Sequence, residues 1–597
     1  MPCLRLPLLA AALIVFPAAA WAQKGGGRIC PRPAAGSLVP EPEDLRSHDG
    51  VLRVDLRFRN FLDANGQMRY CYLYADGSQA PTLRLKAGDL LILTLKNEAT
   101  TKPGNAKPDG MTMAMSKRCG SGPMAAASTN LHFHGLTVPP VCHQDDVLQT
   151  LIGPGDPSFE YRFRIPMDEP PGLYWYHPHV HGFSNSQVLG GASGALIVEG
   201  IESANRELAG LPERVLIVRD QELINPDAVP SGSAAMPQVP VLRDAEGDIL
   251  NTGTDGGKPA KDLSLNFVPV PYPDYPPAVI PIKPSERELW RVLNASAITY
   301  LDLQVLLSGT PQPLGVVAID GVPIHGDESG GNSTLWRRNV ILPPGGRVEV
   351  VFKGPPEGTH ATLVTRKVDT GPAGENDPTR ALATILSESD SPKTRSTLSA
   401  AAPVEGGQEG RGWLGNAKPV RERKLYFSER PSDPNDPKSP TIFLITVDGQ
   451  KPAPYDPQSA VPNITVQQGD VEDWIIENRS RELHAFHIHQ IHFLLTEWDG
   501  VPVDEPFLRD TVNVPYWDGG SSVYPSVKLR MDFRDPRIVG TFVYHCHLLE
   551  HEDGGMMGTI RVEARKQSKR ATTTGPAVFA KTSRIPLRRA VATSPSA

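Results

Sequence analysis

The chain has 597 residues and a net charge of −7, with 60 prolines and 54 glycines spread along it. That length exceeds one hydrophobic core and requires several domains, and the proline density excludes a bundle of long helices. Eight Lys or Arg and no acid follow Glu563; setting these and Arg5 aside leaves about −16 on the rest, which excludes charge-driven nucleic-acid binding by the body of the protein.

Residues 1–22 read as a secretory signal: Arg5, the apolar run "LPLLAAALIVFPAAA", then a small-x-small site at Ala20-Trp21-Ala22. A membrane anchor is the rival reading, but the run is short for a span. No later stretch is apolar enough to cross a bilayer. An exported protein, periplasmic or extracellular and without a transmembrane segment, is therefore expected. Cys3 leaves with the signal. Cys30, Cys71, Cys119 and Cys142 then form an even set suited to disulfides in an oxidising compartment, with the pairing left open.

Short alternating runs follow, among them "LRVDLRFRNF", "LRLKAGDLLILTLKN", "FEYRFRIP", "ERVLIVRD", "VEVVFKG", "ITVQQGDVEDWIIENRS" and "GTIRVEA". Each is bounded by Gly, Pro, Asn or Asp, so an all-β protein of sandwiches or barrels is expected. Residues 83–97, 283–296 and 464–480 share one plan, a strand, a polar turn, a second strand and then Asn. This weak repeat implies three related domains, drawn at 23–200, 201–386 and 421–564, with a polar linker at 387–420 and a basic disordered tail at 565–597. The run "MTMAMSKRCGSGPM" holds Met111, Met113, Met115 and Met124. It is read first as a flexible loop, with Cu(I) entry as the alternative because thioethers favour that ion. Asn294, Asn332, Asn463 and Asn478 begin N-x-S/T sequons.

Four His-x-His pairs carry the chemistry: His132/His134 in "LHFHG", His177/His179 in "WYHPH", His487/His489 in "FHIH" and His545/His547 in "YHCH". Residues i and i+2 of a strand face the same way, so each pair presents two imidazoles to one place. Eight of the sixteen histidines lie in these pairs. His143, His181 and His492 lie near the motifs and are read as supporting residues.

The run "YHCHLLEHEDGGMM", residues 544–557, adds a thiol between two histidines. Alternation turns Cys546 away from His545 and His547, so one strand touches two metal sites. His484, His551 and Met556 are the candidate partners of Cys546. Two His, one Cys and a weak axial Met form the blue-copper electron-transfer pattern. Zinc, the alternative for Cys and His ligands, accounts for neither the methionine nor the eight further histidines. A copper–thiolate accepts one electron at a time, and eight imidazoles can hold several coppers. Joined through Cys546, the two sites collect single electrons and store several, as full reduction of dioxygen to water requires.

On these motifs, together with "GLYWYHPHVHG", "LWRVLNAS", "IDGVPI", "LPPGGRVEVVF", "HAFHIHQIHF" and "RDTVNV", the sequence resembles the multicopper oxidases over residues 45–565. The resemblance implies three cupredoxin-like Greek-key domains and four coppers. Type 1 would take His484, Cys546, His551 and Met556. Type 2 would take His132 and His487, and the type 3 pair His134, His177, His179, His489, His545 and His547. Asp145 and Glu552 are the positions expected to supply protons. "HCHLLEHED" is most similar to bacterial laccases, which implies a phenol or aromatic amine as donor and dioxygen as acceptor; a cuprous or manganese oxidase serving metal homeostasis is the alternative. Gln490 departs from the glycine many relatives carry.

Overall fold

The computed structural model describes residues 30–565 apart from 101–112, 115–118, 121–122, 229–241, 252–256, 325–332, 393, 395, 400–409 and 437. The expected signal, the basic tail from 566 onward, Met111, Met115 and Asn332 lie outside the described residues.

Alternation in the sequence becomes alternation of burial. Along Val51–Leu62, Leu52, Val54, Leu56 and Phe58 are buried while Arg53, Asp55 and Arg57 face solvent, as a sheet with one wet face requires. That strand pairs with Met68–Leu73 and, in parallel, with Leu90–Asn97. The resulting four-stranded sheet faces a five-stranded one that ends on Gly172–His177 and His132–His134. A nine-stranded and a six-stranded sheet form the middle sandwich, and a six-stranded and a five-stranded sheet the last. Three separate apolar cores fill them, around Phe58, Tyr72 and Phe163, around Trp290, Leu303 and Phe352, and around Trp474, Phe486 and Leu529. No helix among the described residues is long and apolar enough to cross a membrane.

The repeat seen in the sequence has a structural counterpart in its terminal asparagine. Asn97, Asn294 and Asn478 each end a strand and are buried. Each Nδ2 donates to two backbone carbonyls, those of Ala127 and Ile152, of Thr299 and Leu342, and of Glu482 and Val514. Each Oδ1 accepts the N–H two residues on. The same side chain pins the same corner of all three sandwiches by satisfying backbone groups that would otherwise be buried unpaired. Two of the four sequons thus begin at buried structural residues, Asn294 and Asn478.

The polar run 387–420 is docked where it is described. Ser396–Thr397 pairs with Pro212 and Glu213 at the edge of the middle sandwich, and Leu414, in the helix Gly410–Asn416, packs on Val471 and Leu494. The open disulfide pairing resolves as Cys30–Cys71 and Cys119–Cys142; both tie the first sandwich, and Cys546 is the free buried thiol. Met113 lies opposite Met124 in a two-strand pairing, and the Met124 side chain is buried with Leu151 and Val180.

Candidate metal centre

Four strands carry most of the ligand candidates: β1 (His132–His134), β2 (Gly172–His177), β3 (His484–Ile488) and β4 (Gly540–Cys546). β1 pairs with β2 in the first sandwich, with His132 opposite His177. β3 pairs with β4 in the last, with His487 opposite His545 and Phe486 opposite Cys546. The two edges meet. His132 stacks on His489 at a centroid distance of 3.7 Å, and His134 on His487 at 3.9 Å. All eight histidines of the four pairs are buried.

The middle sandwich closes this seam with backbone. Gly345, at φ +81°, lies so close that a Cβ there would stand 2.8 Å from His547 Nε2. Gly135, which follows His134 at φ +91°, leaves room for Arg347 and Asp510; a Cβ would stand 2.8 Å from Asp510 Oδ2. Only glycine meets both demands, left-handed backbone and close approach.

Hydrogen bonds fix which ring nitrogen faces inward. Nδ1–H donates to the Pro178 carbonyl from His177, to the Asp510 carbonyl from His487 and to the Cys546 carbonyl from His545. His132 donates Nδ1–H to Asp145 at 3.0 Å, and His134 donates Nε2–H to Asp510 at 3.1 Å. The opposite nitrogens, His132 Nε2, His134 Nδ1, His177 Nε2 and His487 Nε2, are buried without a partner, as are both nitrogens of His547 and Nδ1 of His489. The Nε2 atoms of His179 and His489 each lie 3.3 Å from that of His545. Burial, and for most of them the neighbouring imidazoles, hold these histidines well below their usual range, His177 at about 3 and His545 at about 4. They are neutral at pH 7 and offer converging lone pairs that no protein donor satisfies, a donor set that fits bound cations.

A second set lies across β4. Cys546 Sγ is 3.5 Å from His484 Nδ1 and 3.8 Å from His551 Nδ1, and these two nitrogens are 3.1 Å apart. Met556 is buried in the same core. Burial pushes the Cys546 thiol up, so its thiolate requires a cation in contact. Ligand atoms of His484, Cys546 and His551 lie within 4.8 Å of one another, as do those of His132, His134 and His177, of His132, His487 and His489, and of His179, His489 and His545.

Carboxylates surround both sets. Glu552 is buried with one oxygen 3.5 Å from His179 Nδ1 and the other 3.4 Å from His545 Nδ1. Burial raises the carboxyl of Asp145 to about 7 and that of Glu552 well above its usual range. Three further acids had no role assigned from the sequence. Asp510 holds His134, while its carboxylate pairs with Arg347 at 2.6 and 2.7 Å. Glu429 lies 3.0 Å from His484 Nε2 and Glu482 lies 3.4 Å from His551 Nε2. The only sequence signal for Asp510 was its place at the head of "TVNV", the strand that puts Thr511 opposite His487. His143 stacks on Phe159, His181 meets the Tyr455 ring edge-on, and His492 Nε2–H donates to the Asp320 carbonyl. A surface cavity of about 520 Å³ shares Leu148, Tyr455 and Pro457 with a void of about 20 Å³ that touches His179.

Comparisons with known proteins agree with this geometry. Residues 124–203 and 434–566 match family models described as multicopper oxidase, and they hold every histidine named in the two sets. These two stretches are multicopper oxidase domains, and the three sandwiches are cupredoxin-like Greek-key domains. It is 24% identical to the multicopper oxidase mco of Staphylococcus aureus, over 85% of this chain and 84% of the relative. It is 25% identical to a laccase of Haloferax volcanii, over 82% and 77%. The solved multicopper oxidase of Campylobacter jejuni, described as a metallo-oxidase, superposes with a TM-score of 0.59 at 22% identity, covering 89% of this chain and 96% of that one. Copper is the metal the family implies, and imidazole with thiolate suits it.

Proposed function

We propose that the protein oxidises a donor one electron at a time beside Cys546 and passes the electrons to dioxygen, which is reduced to water. The proposed set is His484, Cys546, His551 and Met556 for one type 1 copper, His132 and His487 for type 2, and His134, His177, His179, His489, His545 and His547 for the type 3 pair. Bound copper would supply the one-electron steps and the multi-electron reduction; four electrons and four protons turn one dioxygen into two waters. The observation that carries this reading is the sequence His545-Cys546-His547 at the end of β4, where the thiol is the immediate chain neighbour of both imidazoles. Dioxygen uptake by the copper-loaded protein tests it: one dioxygen per four electrons delivered, without peroxide, is expected.

The chain's own groups handle the protons. Asp145 and Glu552 are buried carboxyls against His132, His179 and His545, placed to pass protons into the cluster. Asp145→Asn is expected to slow reoxidation by dioxygen about a hundredfold while anaerobic reduction by donor keeps its rate; stopped-flow traces of the two half-reactions check this.

For the donor, phenols and aromatic amines are the reading drawn from the sequence resemblance. A second reading, a reduced metal ion such as Cu(I) or Mn(II), is favoured by Glu429 and Glu482. These acids cover the outward nitrogens of His484 and His551, and both rings are buried. The Glu429 carboxylate attracts cations, while Glu482, pushed up by burial and by Glu429, covers without adding charge, and together they leave no imidazole edge open for an aromatic ring. Joint Glu429→Gln and Glu482→Gln substitution is expected to lower kcat/KM for the metal ion about tenfold and to leave that for a methoxyphenol unchanged or higher. Equal loss for both donors would remove the cation reading. Export is proposed on the N-terminal signal pattern, and the two disulfides support an oxidising compartment; cell fractionation tests it.

A further inference from the structure

Gln490 directly follows His489, is 1% exposed and holds φ +60°. That backbone region costs a residue with a Cβ about 1–2 kcal/mol, and glycine would avoid the cost. What the side chain does in return is visible. Its Nε2–H donates to Asp145 Oδ2, a contact between residues 345 positions apart that joins the last sandwich to the first. The same carboxylate accepts the Phe133 N–H at 3.0 Å and the His132 Nδ1–H. Asp145 is thus held by three donors, one from each of Phe133, His132 and Gln490. His132 in turn lies flat against His489, the residue next to Gln490. The loop closes on itself: His489, Gln490, Asp145, His132 and back to His489.

We infer that the Gln490 amide is a clamp that positions His132 at the seam between the sandwiches. By fixing Asp145 it fixes the Nδ1–H bond, and so the direction in which His132 Nε2 points. His132 and His487 come from opposite sides of that seam, so the copper they share depends on the register between the two sandwiches more than a site built within one of them. Asp145 is the partner one bond removed from a ligand, a kind whose removal changes metal affinity about tenfold to a hundredfold, and Gln490, one bond further out, acts at the lower end of that range. Gln490 is a positioning residue for the type 2 ion. The inference rests on the assignment of His132 and His487 to that ion.

The test uses the copper-loaded full chain and two variants. Q490G removes the amide and relieves the backbone. Q490M keeps a side chain of similar length and the backbone cost but removes the donor. Both are expected to lose the type 2 paramagnetic resonance signal to a chelator about ten times faster than the parent, with the blue type 1 band unchanged. Reoxidation by dioxygen should slow in both, while anaerobic reduction by the donor keeps its rate. If Q490M retains the ion as well as the parent and only Q490G loses it, the side chain is space-filling and the clamp is overturned; loss in Q490M alone, with Q490G retaining the ion, overturns it too. Retention in both variants overturns it equally. A parent that takes up copper but shows no type 2 signal overturns the underlying ligand assignment together with the clamp.

Discussion

Cys546→Ser is expected to abolish the blue colour and all donor oxidation while leaving the fold and the eight-histidine cluster in place. The side chain is fully buried in the last core with Phe486, Tyr544 and Met556. Serine is slightly smaller, so no side chain must move to admit it. What disappears is the one soft anionic ligand, and an alkoxide cannot replace it, because a buried hydroxyl holds its proton far more tightly than a thiol. His484 and His551 remain 3.1 Å apart, so a metal ion can still bind there, but without the thiolate it lacks the electronic coupling and the colour. Absorption spectra and copper content, measured with oxygen uptake, check this together. A colourless variant that still turns over would remove the type 1 assignment.

Asp510→Asn is expected to have the largest effect on stability, about 3–5 kcal/mol, because it breaks a buried ion pair by removing one partner. Arg347 is fully buried; two of its nitrogens meet the two Asp510 oxygens, and Asp320 is farther away at 3.6 Å. Without the Asp510 charge the guanidinium keeps one distant counter-ion inside a region closed to water. The one amide oxygen that remains must then serve both Arg347 and His134, whose tautomer Asp510 sets. The denaturant midpoint of the metal-free protein should fall, and copper retention should fall with it. Parental stability in the Asp510→Asn variant would show that Asp320 alone neutralises Arg347.

The parts legible in the sequence were those governed by local periodicity. His132 and His134 face one place because strand residues alternate, and the same rule turns Cys546 from its neighbours. The asparagine ending each repeat was visible as a letter, and its task became clear only with the backbone carbonyls it holds. Non-local pairing was not legible. Four cysteines allow three pairings, and spacing did not choose among them. Asp510, Glu429 and Glu482 reach the histidines through strand register and corners set by the whole sandwich, so each looked like one acid among the 67 Asp and Glu of the chain. Gln490 stood out as an unusual neighbour of His489, but its bond to Asp145 spans most of the molecule.

The seam between the first and last sandwiches has a consequence for biosynthesis. His179 and His545, which face each other across it, are 366 residues apart in the chain. During synthesis the N-terminal sandwich can fold with its four histidines on an edge, but that edge is only half a site until nearly all of the chain has been made. A nascent or truncated protein therefore lacks the complete eight-histidine cluster, and metal reaching it early finds an incomplete set of imidazoles. Dividing the ligands between the two ends of the polypeptide makes the finished chain a precondition for the reactive centre.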